Sequence, residues 1–130
     1  MKMRIVTDAA PPSLSAFSQA IRKGPLLAVS GQGGADPATG AFAADVAAQT
    51  LQTLANVRAI LEAADATFED VVMLRVYLTT RDHLAVMNSA YAAFMEENVP
   101  SGILPSRTTV FTGLPWPQML IEIDALAAPE

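Results

Sequence analysis

The sequence contains no cysteine and only one histidine, His83. Without cysteine the chain has no disulfide, no thiolate nucleophile and no zinc–thiolate site. A single histidine is too few for an ordinary transition-metal site, so we expect no metal centre. The lack of cysteine is also compatible with a reducing compartment.

Charged residues are scarce as well, at 16% of the chain, and the net charge is −5. The eight basic residues are scattered and form no stripe, which argues against nucleic acid as a partner. No apolar run reaches the length of a membrane-spanning helix. Because the N-terminus also lacks a long apolar segment and a cleavage pattern, we expect a soluble, cytoplasmic protein with no membrane partner.

Apolar residues, by contrast, are abundant: they make up 52% of the chain, and the mean hydropathy is +0.32. The length of 130 residues predicts one domain, residues 1–130. Because so few residues are charged, we expect part of the surface to be covered in an oligomer.

The spacing of apolar and turn-forming residues predicts the order β-β-β-α-β-α-β-β. The predicted strands cover residues 3–7, 17–22, 26–30 and 71–78, followed by two strands in the last quarter of the chain. The first helix is predicted to begin after an Asp45 cap and to end near residues 63–66. The second is predicted to follow a cap at Thr80 or Asp82.

The first predicted helix carries one apolar stripe, with three polar residues placed off it. The stripe comprises Ala47, Leu51, Leu54, Val57 and Leu61, and the residues off it are Gln49, Gln52 and Asn56.

This order predicts an α+β fold, a single two-layer domain with a mixed six-stranded sheet and two helices on one face. The strands at 26–30 and 71–78 look apolar on both sides, as buried strands do. Two helices cannot cover both sides of six strands. Another copy of the chain, in a closed symmetric assembly, is the simplest cover.

The last quarter of the chain, residues 104–125, predicts two strands joined by a stiff turn around Trp116. Arg107 begins the first strand directly after a loop, where its guanidinium could clamp a carboxylate. Glu122 and Asp124 lie on one face of the second strand. The alternatives are a surface arginine, a solvated glutamate, or a cross-strand ion pair between Arg107 and Glu122.

Several segments together resemble the RidA/YjgF family of reactive-intermediate deaminases. They are Ser30-Gly31-Gln32, Asp36-Pro37-Ala38-Thr39-Gly40, Asn88 with Tyr91 and Phe94, Pro105-Ser106-Arg107-Thr108, Leu114-Pro115 and Ile121-Glu122-Ile123-Asp124-Ala125-Leu126-Ala127. The resemblance covers nearly the whole chain, in order and without large gaps. It implies a chorismate-mutase-like fold and a homotrimer with active-site clefts between its subunits.

The resemblance also implies roles for individual residues. In the family, the arginine matching Arg107 holds the substrate carboxylate, and the glutamate matching Glu122 positions or activates a water molecule. The Ser30 and Gly31 backbone and Asn88 would surround the reacting centre.

Two substrate-binding positions depart from the family pattern. Phe17 stands where many members have tyrosine, so the phenol that could hydrogen-bond substrate or water is missing. Thr109 stands where the best-known members carry cysteine, and it keeps a small polar group without the thiol. Neither change affects the carboxylate clamp.

The leading hypothesis is therefore a cofactor-free hydrolase that converts small 2-enamine and 2-imine carboxylates to 2-keto acids and ammonia. Two alternatives remain open. One is a carboxylate-binding or chaperone-like trimer without turnover, and the other is a deaminase dedicated to one catabolic aminoacrylate or amino-dienoate. Turnover separates the first alternative from the hypothesis.

Overall fold

The structure, a computed structural model describing residues 1–130, contains one six-stranded sheet and two α-helices. The elements are β1 (Met3–Ile5), β2 (Ala20–Lys23), β3 (Leu26–Gln32), α1 (Val46–Ala63), β4 (Val71–Leu78), α2 (Leu84–Asn98), β5 (Ser106–Phe111) and β6 (Ile121–Ala127). The predicted order and the mixed α+β sheet are confirmed. Neither helix has the length and apolar character needed to cross a lipid bilayer.

The strands lie in the order β1-β2-β3-β6-β4-β5, and only β4 and β5 are parallel. The last two strands follow each other across a turn, as predicted, but they are not neighbours in the sheet, because β4 lies between them. The reason is the helix α2, which connects β4 to β5: a strand–helix–strand crossover returns the chain parallel to the strand it left.

The bounds of the first three strands also differ from the prediction, and β1 ends at Ile5 rather than at Thr7. β2 begins at Ala20 rather than at Phe17, because the chain turns at Phe17, whose N–H donates to Ser15 O at 2.9 Å. β3 runs two residues further than predicted, to Gln32, and its pairing with β6 shifts register between Val29 and Gln32. Gly31 therefore lies within an irregular stretch of strand.

The two sides of the sheet are covered very differently. One side, the helix face, packs under the helices through buried residues such as Leu27, Leu74 and Ile123. The other, the open face, leaves Leu26 52% exposed and Val72 50% exposed. The central strands are therefore covered on one side only within a single chain. Exposed apolar side chains on one face of a sheet are typical of a surface covered by another subunit.

The helix α1 begins as predicted, since Asp45 Oδ1 accepts a hydrogen bond from Ala48 N at 2.8 Å. The predicted apolar stripe is wrong in two respects. Leu51 is 44% exposed, whereas Gln49 and Asn56 are buried. The two amides are buried because each one is hydrogen-bonded to a loop outside the helix.

Gln49 connects α1 to two loops at once. Its Nε2 donates to Ala43 O at 2.7 Å and to Gln118 O at 2.9 Å, and its Oε1 accepts from Leu120 N at 2.9 Å. Asn56 Nδ2 similarly donates to Gly33 O and to Ala35 O, both at 2.9 Å. Gln19, whose hydrogen bonds are described in the next subsection, also binds loop backbone through its amide. We call Gln49, Asn56 and Gln19 the amide anchors.

Replacing Gln49 by leucine should lower the free energy of unfolding by about 3 kcal/mol, because two carbonyls and one N–H lose their partner. Urea unfolding measures the loss. The matched control is Gln52→Leu on the same helix, whose amide donates only to Asn56, at 2.9 Å. The control should cost less than about 1 kcal/mol. Equal losses for the two variants would show that the loop tethers contribute nothing.

Candidate active site

Arg107 and Glu122 lie on opposite faces of the sheet. Arg107 pairs with Leu74 in β4, which pairs with Ala125 in β6, so the Arg107 side chain is directed to the helix face. Glu122 lies three residues before Ala125 and is directed to the open face. Two strand spacings and three residues separate their Cα atoms by about 14 Å. Within one chain they can form neither a cross-strand ion pair nor a site for one small molecule.

The Arg107 guanidinium is positioned by two residues of α2. Its Nη2 donates to Asn88 Oδ1 at 2.8 Å, and its Cζ lies 4.7 Å from the centre of the Tyr91 ring. Asn88 and Tyr91 are three residues apart, so they lie on the same side of the helix. The hydrogen bond and the cation–π contact together fix the direction of the guanidinium.

No carboxylate lies within 4.0 Å of Arg107, so the surface ion pair considered above does not form within the chain. The guanidinium has five N–H donors, and only one of them is hydrogen-bonded to another side chain. Thr109 follows two residues later in β5 and lies half-buried on the same side. These residues, Arg107, Asn88, Tyr91 and Thr109, form what we call the arginine half-site.

Glu122 lies directly against Gly31. A Cβ atom built on Gly31 would lie 2.8 Å from Glu122 Cδ and closer still to Oε2. Real Cβ atoms do not approach other heavy atoms so closely, so any larger residue at position 31 would displace the Glu122 side chain. The irregular stretch of β3 thus provides the space that the carboxyl group occupies.

The pKa of the Glu122 carboxyl is raised above its ordinary value by burial and, secondarily, by the negative charge of Asp124. Asp124 accepts hydrogen bonds from Arg75 Nε and Tyr77 Oη, both at 2.9 Å. Arg75 therefore pairs with Asp124 and leaves Glu122 without a cationic partner. A carboxyl group of this kind changes protonation state nearer to neutral pH than an exposed glutamate does.

Ser30 and Gln19 fasten the loop that carries Phe17. Ser30 Oγ donates to Ser18 O at 2.6 Å, and Ser30 N donates to Gln19 O at 2.9 Å. The Gln19 amide bonds both backbone groups of Thr7 and donates to Pro11 O at 2.8 Å. The Ser30 hydroxyl is thus engaged in holding the loop.

A cleft of about 900 Å³ opens beside Glu122. Its lining includes Gly31 and three aromatic side chains, Phe17, Phe42 and Trp116. Trp116 is 52% exposed in the single chain and lines the cleft. We call Glu122, Gly31, Ser30 and this aromatic wall the glutamate half-site.

The structure therefore divides the predicted site residues between two places. Arg107, Asn88 and Thr109 lie in the arginine half-site, and Phe17, Gly31 and Glu122 line the cleft of the glutamate half-site. Ser30 is not part of the cleft lining and supports the site by holding the loop that carries Phe17. No group of three or more histidine and acidic side chains is arranged to hold a metal ion. One half-site presents a guanidinium without a carboxylate partner, and the other presents a carboxyl group of raised pKa beside an apolar cleft.

Sequence reasoning missed Trp116, Phe42 and the stacking of Tyr91 on Arg107. A signal existed for Trp116, because an aromatic residue held between two prolines shortly before Glu122 is stiff and close to the site. Phe42 follows a glycine-containing turn and has no sequence feature that marks it as a wall residue.

The chain is similar to known proteins in both sequence and fold. A family model described as endoribonuclease L-PSP matches residues 7–129. A RutC family protein of Pyrococcus horikoshii is 39% identical over 131 residues, which cover 100% of both chains. The 2-iminobutanoate/2-iminopropanoate deaminase of Salmonella typhimurium is 36% identical over 127 residues, which cover 98% of both chains.

Solved structures agree with this grouping. The crystal structure of the YjgF gene product from E. coli has a TM-score of 0.92 at 36% identity, covering 98% of this chain and 99% of that one. The structure of E. coli TdcF with bound serine has a TM-score of 0.93 at 31% identity and the same coverage.

Replacing Gly31 by alanine should leave the fold intact but move the Glu122 carboxyl out of its present position, because the new methyl group would occupy its space. The side-chain carboxyl signal of Glu122, followed by NMR through a pH titration, should then move its midpoint towards that of an exposed glutamate. The matched control is Gly113→Ala, since nothing lies within 4 Å of a Cβ there. An unchanged midpoint in Gly31→Ala would contradict the contact.

Proposed function

The chain belongs to the YjgF/RidA family, and from that premise we propose that it hydrolyses reactive 2-enamine and 2-imine acids to 2-keto acids and ammonia. The observation that carries the proposal is the Arg107 guanidinium, which is fixed by Asn88 and Tyr91 but has no carboxylate partner. An oriented, unpaired guanidinium is suited to binding the carboxylate shared by these substrates.

We propose that the working site forms between two copies of the chain in a homotrimer. Each cleft would combine the arginine half-site of one subunit with the glutamate half-site of its neighbour. Two observations support this arrangement: the half-sites lie on opposite faces of one sheet, and the open face exposes apolar side chains that a neighbour would bury.

The proposed reaction needs only water. An enamine first takes a proton on its third carbon, loses one from its nitrogen and becomes the imine. The oxygen of a water molecule then bonds to the imine carbon while ionised Glu122 accepts a proton from that water and the nitrogen takes a proton from solvent. Glu122 gives its proton to the nitrogen, the carbon–nitrogen bond breaks to release ammonia, and the hydroxyl group loses its proton to solvent as the carbon–oxygen double bond of the 2-keto acid forms. Orientation by Arg107 and proton transfer by Glu122 suffice, because such imines already hydrolyse in water.

The family description also names ribonuclease activity, which this chain is poorly suited to perform. Its net charge is −5, and the arginine half-site has one guanidinium rather than a basic stripe that could follow a phosphate backbone. We therefore expect no RNA cleavage.

A carboxylate-binding trimer without turnover is the second candidate. It is favoured by Phe17, which gives the cleft an aromatic ring with no hydroxyl to hold a water molecule. Saturable binding of 2-keto acids without faster ammonia release would support this candidate over the hydrolase. A deaminase dedicated to one aminoacrylate or amino-dienoate differs from the main proposal only in its range of substrates.

Replacing Arg107 by alanine should lower kcat/KM about 100-fold or more, equivalent to about 3 kcal/mol of lost transition-state binding. An amino-acid oxidase generates the imine, and semicarbazide traps whatever the enzyme leaves unhydrolysed. Arg107→Lys should recover only part of the activity, because an ammonium lacks the two-pronged geometry. The control is Arg81→Ala. The Arg81 guanidinium lies 5.1 Å from the centre of the ring of Phe111, which belongs to β5 as Arg107 does. Near-full activity of Arg107→Ala would rule out the clamp.

The activity should fall on the acid side of its pH profile, with a midpoint above the ordinary pKa of glutamate. The reason is that the pKa of Glu122 is raised and only its ionised form can accept the proton of water. Glu122→Gln should lower kcat by about 10²- to 10⁴-fold and remove this acid limb. A limb that persists unchanged in Glu122→Gln would assign it to another group.

A further inference from the structure

The wall of the cleft beside Glu122 is apolar and aromatic. Phe17, Phe42, Trp116 and Met119 line it together with Leu14. Trp116 and Phe17 are each 52% exposed, although large aromatic side chains are usually covered. Exposed aromatic side chains that share one cavity with a proton-transfer group are typical of a binding site for an apolar part of a ligand.

The cleft of the single chain, before a neighbouring subunit covers it, is larger than the smallest substrates require. A cavity of about 900 Å³ lies at the upper end of the range for small-molecule sites, which enclose most of the ligand surface. A three-carbon imino acid has only a methyl group to place against the wall and would leave most of the cleft to water. A branched or aromatic side chain would displace that water from Phe17 and Trp116.

The loops that carry the wall are held by the amide anchors. Gln49 bonds Gln118 and Leu120 on either side of Met119, and Gln19 bonds Pro11. The third anchor, Asn56, bonds the two carbonyls that flank residue 34. A wall fixed in this way is preorganised, so little conformational entropy is lost when a side chain packs against it.

We propose that the cleft selects 2-imino acids with bulky apolar side chains, branched or aromatic. It would disfavour 2-imino acids that contain only two or three carbons in total. The proposal rests on the hydrolase activity proposed above and specifies its substrate class. Phe17 and Trp116 are the specificity-determining residues: they contact the substrate side chain, whereas Arg107 of a neighbouring subunit binds its carboxylate.

The first test compares kcat/KM for the imines derived from alanine, leucine and phenylalanine, generated by an amino-acid oxidase with semicarbazide trapping. The leucine and phenylalanine imines should be hydrolysed with at least a 10-fold higher kcat/KM than the alanine imine, since each additional apolar group in such a pocket is worth about 10-fold or more.

Variants of Trp116 test whether the wall causes the preference. Trp116→Ala should reduce the leucine-to-alanine ratio of kcat/KM about 10-fold, and Trp116→Phe should restore most of it. The control is Leu51→Ala, which removes an apolar side chain exposed on α1, outside the cleft lining. This control should leave the ratio unchanged. A ratio that is equal in wild type and Trp116→Ala would overturn the assignment of Trp116.

A binding measurement without turnover is available because Trp116 is the only tryptophan of the chain. Its fluorescence should change on titration with 4-methyl-2-oxopentanoate, which should bind at least 10-fold more tightly than pyruvate. Phe17→Ala keeps the reporter and should weaken binding of the branched acid about 10-fold while affecting pyruvate much less.

The outcomes separate this proposal from the one on which it rests. Accelerated hydrolysis of all three imines with equal or lower kcat/KM for the bulky ones, as when a segment of the neighbouring subunit fills the cleft, would overturn the substrate class and leave the hydrolase standing. No acceleration for any imine would overturn both. Selective hydrolysis of the bulky imines that depends on Trp116 would support both.

Discussion

The position of β4 between β5 and β6 is the constraint on which the account of this protein depends. The helix α2 returns the chain parallel to β4, so β5, which carries Arg107, pairs with β4. β4 therefore separates β5 from β6, which carries Glu122. The register then directs the two side chains to opposite faces. One copy of the chain therefore offers two incomplete half-sites, and the proposed chemistry requires a second copy. Catalysis and assembly are, on this account, consequences of one strand order.

The two half-sites are built by different physical means. The arginine half-site is ordered by side-chain contacts, a hydrogen bond to Asn88 and stacking on buried Tyr91. The glutamate half-site is ordered mainly through the backbone, because Gly31 leaves space for the carboxyl group and the amide anchors hold the surrounding loops. The pKa of its carboxyl is raised mainly by burial and secondarily by the negative charge of Asp124. Arg75 pairs with Asp124 and not with Glu122.

Much of the fold could be predicted from local patterns. Alternation in Val71–Leu78 and the Asp45 cap identified β4 and the start of α1, since both depend on neighbouring residues only. Long-range features could not be read in this way. The buried Gln49 was placed off the apolar stripe because its partners lie 69 and 71 residues away in sequence. Strand order could not be predicted for a similar reason, since the position of β4 between β5 and β6 depends on pairing between residues far apart in sequence. Arg107 and Glu122 were identified as candidates from the strand pattern and the family resemblance, but their separation depends on the strand order and register.

The most direct test of the shared site is complementation between two inactive variants. Arg107→Ala and Glu122→Gln subunits are unfolded together in equal amounts and allowed to reassemble. In a closed ring, an intact site forms only where the Arg107 of one variant meets the Glu122 of the other, so random mixing should restore about a quarter of the wild-type activity. Activity no higher than the mean of the two separate variants, with mixed assemblies present, would contradict a site formed between subunits.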